Sequence, residues 1–139
     1  MKYIDIENIK KHLNELKIEY ITTGENPVFF QIKMGNKNKN NVLITNTAGI
    51  TASFVITNNT FLFSVSGIFD TKNENRLKIL EQINQLNRDK TLKEKFYVDK
   101  NGYICMKFFQ NIHDENSVIQ TLLDYRSIFL ESSFIEDNF

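Results

Sequence analysis

Residues 95–109 read Lys95-Phe-Tyr-Val-Asp-Lys-Asn-Gly-Tyr-Ile-Cys-Met-Lys-Phe-Phe109. Two strand-like runs flank the pair Asn101-Gly102, and an Asn-Gly pair between such runs is the strongest short signal for a β-hairpin. The stretch therefore predicts two antiparallel strands, one at residues 96–99 and one at residues 103–109.

A helix is predicted on each side of this hairpin. The preceding sequence Thr71-Lys-Asn-Glu74 has the form of a capping box, which predicts a helix from there to about residue 87. Its expected buried stripe is Leu77, Leu80, Ile83 and Leu86. A further helix is predicted from about residue 114 to about residue 130, because apolar residues recur there at helical spacing.

The first half of the chain predicts a helix and a meander of strands. Asp5 is the expected N-cap of a helix over residues 6–18, whose apolar residues step by three and four. Period-two alternation and turn residues predict strands at residues 28–34, 42–46, 51–57 and 60–69, with a hairpin loop at residues 35–41. The predicted fold is a single α+β domain over residues 1–139, in which three helices pack on an antiparallel sheet in the order α-β-β-β-β-α-β-β-α.

Composition limits the classes of function. Seventeen basic residues balance seventeen acidic residues, so the chain lacks the broad positive field that most nucleic-acid or membrane-surface binders use. Charges interrupt every short apolar run, which argues against a secretory signal or a membrane span and predicts a cytoplasmic protein. The single cysteine, Cys105, cannot form a disulfide within the chain.

Candidate catalytic and metal-binding residues are few. His12 and His113 lack the spacing of a zinc motif, so we interpret them as surface histidines. Nothing near Cys105 in the sequence promises an activating base, so a small half-buried apolar residue is the better interpretation. The five glycines form no phosphate-binding loop. We therefore predict no enzyme activity, no catalytic residues, no cofactor and no metal.

Strand alternation supplies candidate protein-binding residues. In the strand at residues 60–69, Phe61 and Phe63 point to one face while Leu62 and Ser64 point to the other. Both faces of the predicted meander carry apolar residues, and helices on one face cannot cover them all. On this basis the predicted surface contacts are Phe29, Phe61, Phe63 and Tyr103.

The second half of the chain resembles a known family. Asn84-Gln-Leu-Asn87, a lysine-rich spacer, the turn-containing Phe96-Tyr-Val-Asp-Lys-Asn-Gly102 and a long final helix are similar to the YbjN family. The match in motifs covers about residues 71–130, and the first half agrees in the order of its elements. The chain departs from the family in having Leu86 where an aromatic residue often precedes the second asparagine.

The resemblance implies a fold like that of the type III secretion chaperones, which commonly form homodimers and bind extended segments of client proteins. The expected function is thus a non-enzymatic chaperone, adaptor or regulator that binds a client protein, with no membrane association. Two alternatives remain: a regulatory binder of single-stranded nucleic acid, which the zero net charge disfavours, and a small-molecule sensor with a pocket between sheet and helices.

Overall fold

A computed structural model describes residues 5–37, 43–44, 49–89 and 93–139. The helices are α1 (Ile6–Glu15), α2 (Arg76–Arg88), α3 (Glu115–Arg126) and α4 (Phe134–Asn138), with a π-helical turn (Ser127–Glu131) between the last two. The strands are β1 (Tyr20–Thr23), β2 (Val28–Lys37), β3 (Leu43–Ile44), β4 (Ile50–Thr57), β5 (Thr60–Asp70), β6 (Lys95–Val98) and β7 (Tyr103–Asn111). None of the helices in this part of the chain is long and apolar enough to cross a membrane.

Six strands form one antiparallel sheet in the order β1-β2-β4-β5-β7-β6, and the short β3 pairs with the far end of β2. The predicted class is confirmed: the protein is α+β, with an antiparallel sheet and packed helices. The hairpin of β6 and β7 extends the same sheet as the meander, because β7 pairs with β5.

The edge of the sheet differs from the prediction. β1 was not expected, because a run of four residues with two threonines gives little alternation to detect. β2 pairs directly with β4. Of the strand predicted at 42–46, Leu43–Ile44 is a strand, and residues 42, 45 and 46 lie outside the described residues. β2 also continues to Lys37 through an irregularity near Gly35, so part of the predicted loop at 35–41 is strand and the rest lies outside the described residues.

The helices cover one face of the sheet, which we call the inner face. Inward side chains of the strands share a single apolar cluster with buried residues of α1, α2 and α3. Tyr125 of α3 lies 5.3 Å, between ring centroids, from both Phe63 and Phe108. Near the C-terminus, Phe134 and Phe139 pack on Phe96, so α4 closes the same layer.

The start of α2 corrects the predicted capping box. Asn75 caps the helix by accepting a hydrogen bond from the Lys78 backbone N–H at 3.1 Å. Thr71 instead binds the hairpin turn, where its hydroxyl donates to the Gly102 carbonyl at 2.7 Å and its N–H donates to the same oxygen at 2.9 Å. The Ser/Thr-x-x-Glu pattern at residues 71–74 therefore belongs to a turn that contacts the hairpin, and it does not cap the helix.

The buried stripe of α2 agrees with the predicted one only in part. Ile83 is buried and Leu86 packs against the core as predicted, and Ile79 is buried as well, whereas Leu77 is 67% exposed and Leu80 is also exposed. Residues 79, 83 and 87 form one i, i+4, i+8 row along the helix. Because Asn87 at the end of that row bonds the sheet, the row faces inward and the side of the helix that bears Leu77 faces solvent.

Asn87 closes the edge of the sheet at β6. Its Oδ1 accepts a hydrogen bond from the Phe96 N–H at 2.8 Å, and its Nδ2 donates to the Phe96 carbonyl at 2.8 Å. This paired geometry is what a neighbouring strand would supply, so the side-chain amide stands in for one residue of a further strand. Asn87, the second asparagine of Asn84-Gln-Leu-Asn87, therefore has a specific structural role.

We predict that Asn87→Ala destabilises the fold by about 2 kcal/mol, because it removes both hydrogen bonds to the part-buried backbone N–H and carbonyl of Phe96. Asn87→Asp is expected to destabilise it as well, since a carboxylate would face the Phe96 carbonyl. Asn84→Ala, an exposed position on the same helix, is the matched control and is expected to change stability by less than about 0.5 kcal/mol. Urea unfolding measures all three; equal losses at 84 and 87 would contradict the assignment.

The pairing of β5 with β7 is irregular between Val65 and Phe69, a segment that we call the bulge. Val65 pairs with Met106 and Phe69 pairs with Ile104, so three residues of β5 lie opposite one residue of β7. Gly67 within the bulge has a φ of 73°, and a Cβ added there would lie 2.8 Å from the Gly49 carbonyl oxygen. The bulge thus requires glycine both for its backbone angle and for the close approach of another strand.

We expect Gly67→Ala to cost more than Gly102→Ala, although both glycines have positive φ. At Gly102 the nearest atom to an added Cβ is a lysine side-chain carbon at 3.4 Å, so the cost there is left-handed strain of about 1 kcal/mol. At Gly67 a clash with backbone adds to that strain, for about 2 to 3 kcal/mol in all. Thermal or urea unfolding of both variants tests the ranking, which equal losses would overturn.

Candidate protein-binding face

The face of the sheet opposite the helices, which we call the open face, is built by the outward residues of each strand. In β4 the buried residues alternate with partly exposed ones, and the same alternation runs through β5 until the bulge. Because paired residues of antiparallel strands point to the same side, the register places these outward side chains in rows across the sheet.

One row of the open face is apolar across four strands. Phe29 of β2 pairs with Val55 of β4, Val55 pairs with Leu62 of β5, and Leu62 pairs with Phe109 of β7. Three strand spacings give this apolar row a length of about 14 Å. Phe109 is 76% exposed, and the other three side chains are half-buried. Phe109 thus exposes a large aromatic ring at the end of a contiguous apolar row.

Basic residues flank the apolar row. Lys107 of β7 and Lys95 of β6 lie directly opposite one another, and Lys33 lies on β2 on the same face. The Lys107 ammonium lies 5.3 Å from the centroid of the Tyr97 ring, while the Lys95 ammonium donates to the Asn87 carbonyl at 3.3 Å. The two ammonium groups therefore turn to different neighbours, and neither meets a carboxylate in these contacts.

Carboxylates of these strands and their turn lie at the other end of the sheet, beyond the bulge. Asp70 accepts a hydrogen bond from the Lys72 N–H at 3.0 Å. Asp99 in the hairpin turn accepts from the N–H groups of Tyr103 and Asn101, which hold its pKa below the usual value. Between the apolar row and the bulge, the described strand residues of the open face include lysine but neither aspartate nor glutamate.

The four predicted contact residues separate into two groups. Phe29 belongs to the apolar row, and Tyr103 is half-buried beyond the bulge, with the Lys72 ammonium 4.9 Å from the centroid of its ring. Phe61 and Phe63 are 0% exposed and pack among the core rings, so the prediction of surface contacts there is wrong. Alternation separated the two sets of β5 correctly, but it did not tell which set would face the helices.

Sequence reasoning missed Val55, Leu62 and Phe109 as candidates. Phe109 is two residues from Lys107 and four from Cys105, so strand parity alone places it on their face. The signal was therefore present for Phe109. The cross-strand neighbours Val55 and Leu62 depend on the pairing of β2 with β4 and of β5 with β7, which periodicity does not specify.

Cys105 is buried beside the hairpin turn, at 1% exposure. Its thiol lies 3.6 Å from Asp99 Oδ2 and 3.6 Å from the Tyr103 carbonyl oxygen. Burial, reinforced by the nearby Asp99 carboxylate, raises the pKa of the thiol to about 11. Burial and the neighbouring Cys105 also raise the pKa of Tyr97. The arrangement thus favours a neutral thiol and works against nucleophilic chemistry at this position.

The two histidines and the acidic side chains do not form a metal centre in the described part of the chain. His12 is half-buried on α1, and His113 is exposed before α3. Within the residues that the structure describes, no three His, Cys, Asp or Glu side chains come together as metal ligands.

A cleft of about 660 Å³ lies at the bulge end of the sheet. Phe69, Phe129 and Ile135 contribute apolar surface, while Asp70 and Glu136 contribute carboxylates. This is the place in the described structure that best suits the small-molecule alternative. Its walls come from the bulge, the π-helical turn and α4.

We predict that Cys105 reacts with iodoacetamide far more slowly in the folded protein at pH 8 than in urea, because the folded thiol is buried and neutral. Since the folded pKa exceeds the unfolded one, the unfolded state loses its proton first and stability is expected to fall between about pH 9 and pH 11. Mass-spectrometric alkylation rates test the first statement, and equal rates in both states would contradict it.

Comparison with known proteins gives no assignment: no model of a known protein family matches the chain, and no curated protein matches it.

Proposed function

We propose that this chain is a non-enzymatic, cytoplasmic protein-binding module that acts as a chaperone or adaptor. In this proposal a segment of a client protein lies across the open face and covers the apolar row. The observation that carries the proposal is the row itself, Phe29-Val55-Leu62-Phe109, on the side of the sheet away from the helix-bearing core.

The energetics of the row suit a contact surface. Phe109 gains little from folding because most of its ring remains in water, so it is available to contribute to binding. Aromatic anchors that become desolvated at the centre of a contact carry much of the binding free energy in protein interfaces. Val55 and Leu62 of the row lie on the central strands β4 and β5, each paired with a strand on both sides, so ordering this part of the surface costs little on association.

The surroundings of the row favour protein over nucleic acid. Single-stranded nucleic acid binds by stacking bases on separate aromatic rings within a basic groove. Here two aliphatic side chains, Val55 and Leu62, fill the interval between Phe29 and Phe109. A continuous aliphatic and aromatic row matches the apolar stripe of a polypeptide better than it matches a series of bases.

The resemblance to the YbjN family supports the same proposal and adds two features to it. The fold would be of the secretion-chaperone type, and the working unit would be a homodimer. Both rest on the motifs quoted above rather than on the open face, so light scattering on the purified protein tests the dimer separately from client binding.

We predict that Phe109→Ser weakens binding of peptides selected on the wild-type protein from a displayed random library by about tenfold or more, because it removes the most exposed anchor. Leu77→Ser is the matched control: it removes an equally apolar side chain, 67% exposed, from α2 on the other side of the protein. Fluorescence anisotropy measures both variants.

Both variants are expected to unfold at nearly the wild-type urea concentration, since neither side chain is buried. The proposal fails if the library yields no binders, or if the selected peptides bind Phe109→Ser as well as they bind the wild-type protein.

A further inference from the structure

The charge pattern of the open face specifies the chemistry of its partner. We infer that the open face binds an acidic amphipathic segment of another protein, whose apolar side chains cover the row and whose carboxylates meet Lys107 and Lys33. This inference rests on the proposed function and adds the class of partner to it.

Lys107 and Lys95 place two positive charges side by side on the open face. They lie directly opposite one another on β7 and β6, and like charges in that position destabilise a sheet. Lys107 stays over the Tyr97 ring, and Lys95 turns to the Asn87 carbonyl at the end of α2. An anion at this position would meet two positive charges that the described strands of this face leave without a carboxylate.

Lys33 places a third positive charge on the open face. It lies on β2, four residues along from Phe29, whereas Lys107 lies on β7, two residues from Phe109. Both lysines are therefore on the same side of the apolar row, one toward each end of it. A segment lying along the row would meet these lysines along one flank only, where Glu19, the residue before β1, adds one carboxylate next to the Tyr20–Ile32 pair.

The length of the apolar row suits a short helix. A length of about 14 Å corresponds to about ten residues of α-helix, or roughly three turns. An amphipathic helix of that length presents an apolar stripe with charged residues beside it. Lys107 lies about 7 Å from the row and Lys33 about 13 Å from it, so a helix whose edge carboxylates meet both lysines crosses the row obliquely.

Two carboxylates lie farther along the same side of the apolar row, beyond the lysines. Asp70 and Asp99 lie beyond the bulge, and each accepts hydrogen bonds from backbone N–H groups. They therefore remain as acidic groups at the far end of the sheet and would repel an acidic segment that approached there. This repulsion confines the segment to the apolar row and its lysine flank.

The test uses two synthetic helical peptides of about 14 residues with the same leucine stripe. One carries glutamate along the edge of the stripe and the other carries lysine. By fluorescence anisotropy at low salt, we expect the glutamate peptide to bind about tenfold more tightly, since two favourable charge pairs replace two unfavourable ones. Added salt is expected to reduce the difference.

The variant Lys33→Glu/Lys107→Glu is expected to reverse the preference, so that the lysine peptide binds more tightly. The matched control is Lys11→Glu/Lys78→Glu, which changes net charge by the same amount at exposed positions on α1 and α2. The control is expected to keep the wild-type preference, which separates a local effect from a change in overall charge.

The outcomes distinguish this inference from the proposed function. If both peptides bind equally and Phe109→Ser weakens both, the open face binds protein but the acidic partner is wrong. If neither synthetic peptide binds, the inference is overturned, and the library selection decides the proposed function independently. If a thymidine oligonucleotide displaces the glutamate peptide and its own binding needs Phe109, the face binds nucleic acid and both statements fail.

Discussion

The packing of Tyr125 on Phe63 and Phe108 fixes which face of the sheet is covered. The Tyr125 ring, on α3, packs against Phe63 of β5 and Phe108 of β7. Its hydroxyl donates a hydrogen bond to the carboxylate of Glu94, the residue just before β6. Burial raises the pKa of this phenol, which favours its neutral, hydrogen-bond-donating form. With α3 held there, the inner face is filled and the remaining apolar strand residues are left on the open face.

Side chains at the end of α2 and in the turn before it bond the hairpin of β6 and β7. Asn87 bonds both backbone groups of Phe96 at one end of the helix, and Thr71 bonds the Gly102 carbonyl before the other end. The hairpin, the helix and the preceding turn are thus one unit. That unit determines where Lys107 and Phe109 lie, although none of its hydrogen bonds involves either side chain.

Much of the fold could be predicted from local patterns, but the assignment of the faces could not. The Asn-Gly hairpin, the alternation in β4 and β5 and the N-cap at Asp5 are local signals, and the structure confirms each of them. Phe61 and Phe63 were assigned to the surface because alternation defines two sets of residues without saying which set meets a helix. That choice depends on contacts with α3, which are distant in sequence.

Two other differences have the same origin in tertiary contacts. Thr71 does not cap α2, because it bonds the Gly102 carbonyl of the folded hairpin. In α2 the Asn87 bonds turn the row of Ile79 and Ile83 inward, which leaves Leu77 and Leu80 of the predicted stripe exposed. Local preferences of about 1 kcal/mol yield to such contacts whenever the two disagree.

The open face carries features that stability alone would not favour. A face that served only to complete the sheet would be expected to pair Lys95 with a carboxylate across the strand and to place a polar side chain at position 109. Instead it has two opposed lysines and a phenylalanine that is 76% exposed. A surface that takes part in recognition can keep features that cost stability. The lysine pair and the exposed ring lie on the same two-strand unit, so one partner segment can neutralise the charge and cover the ring in a single contact.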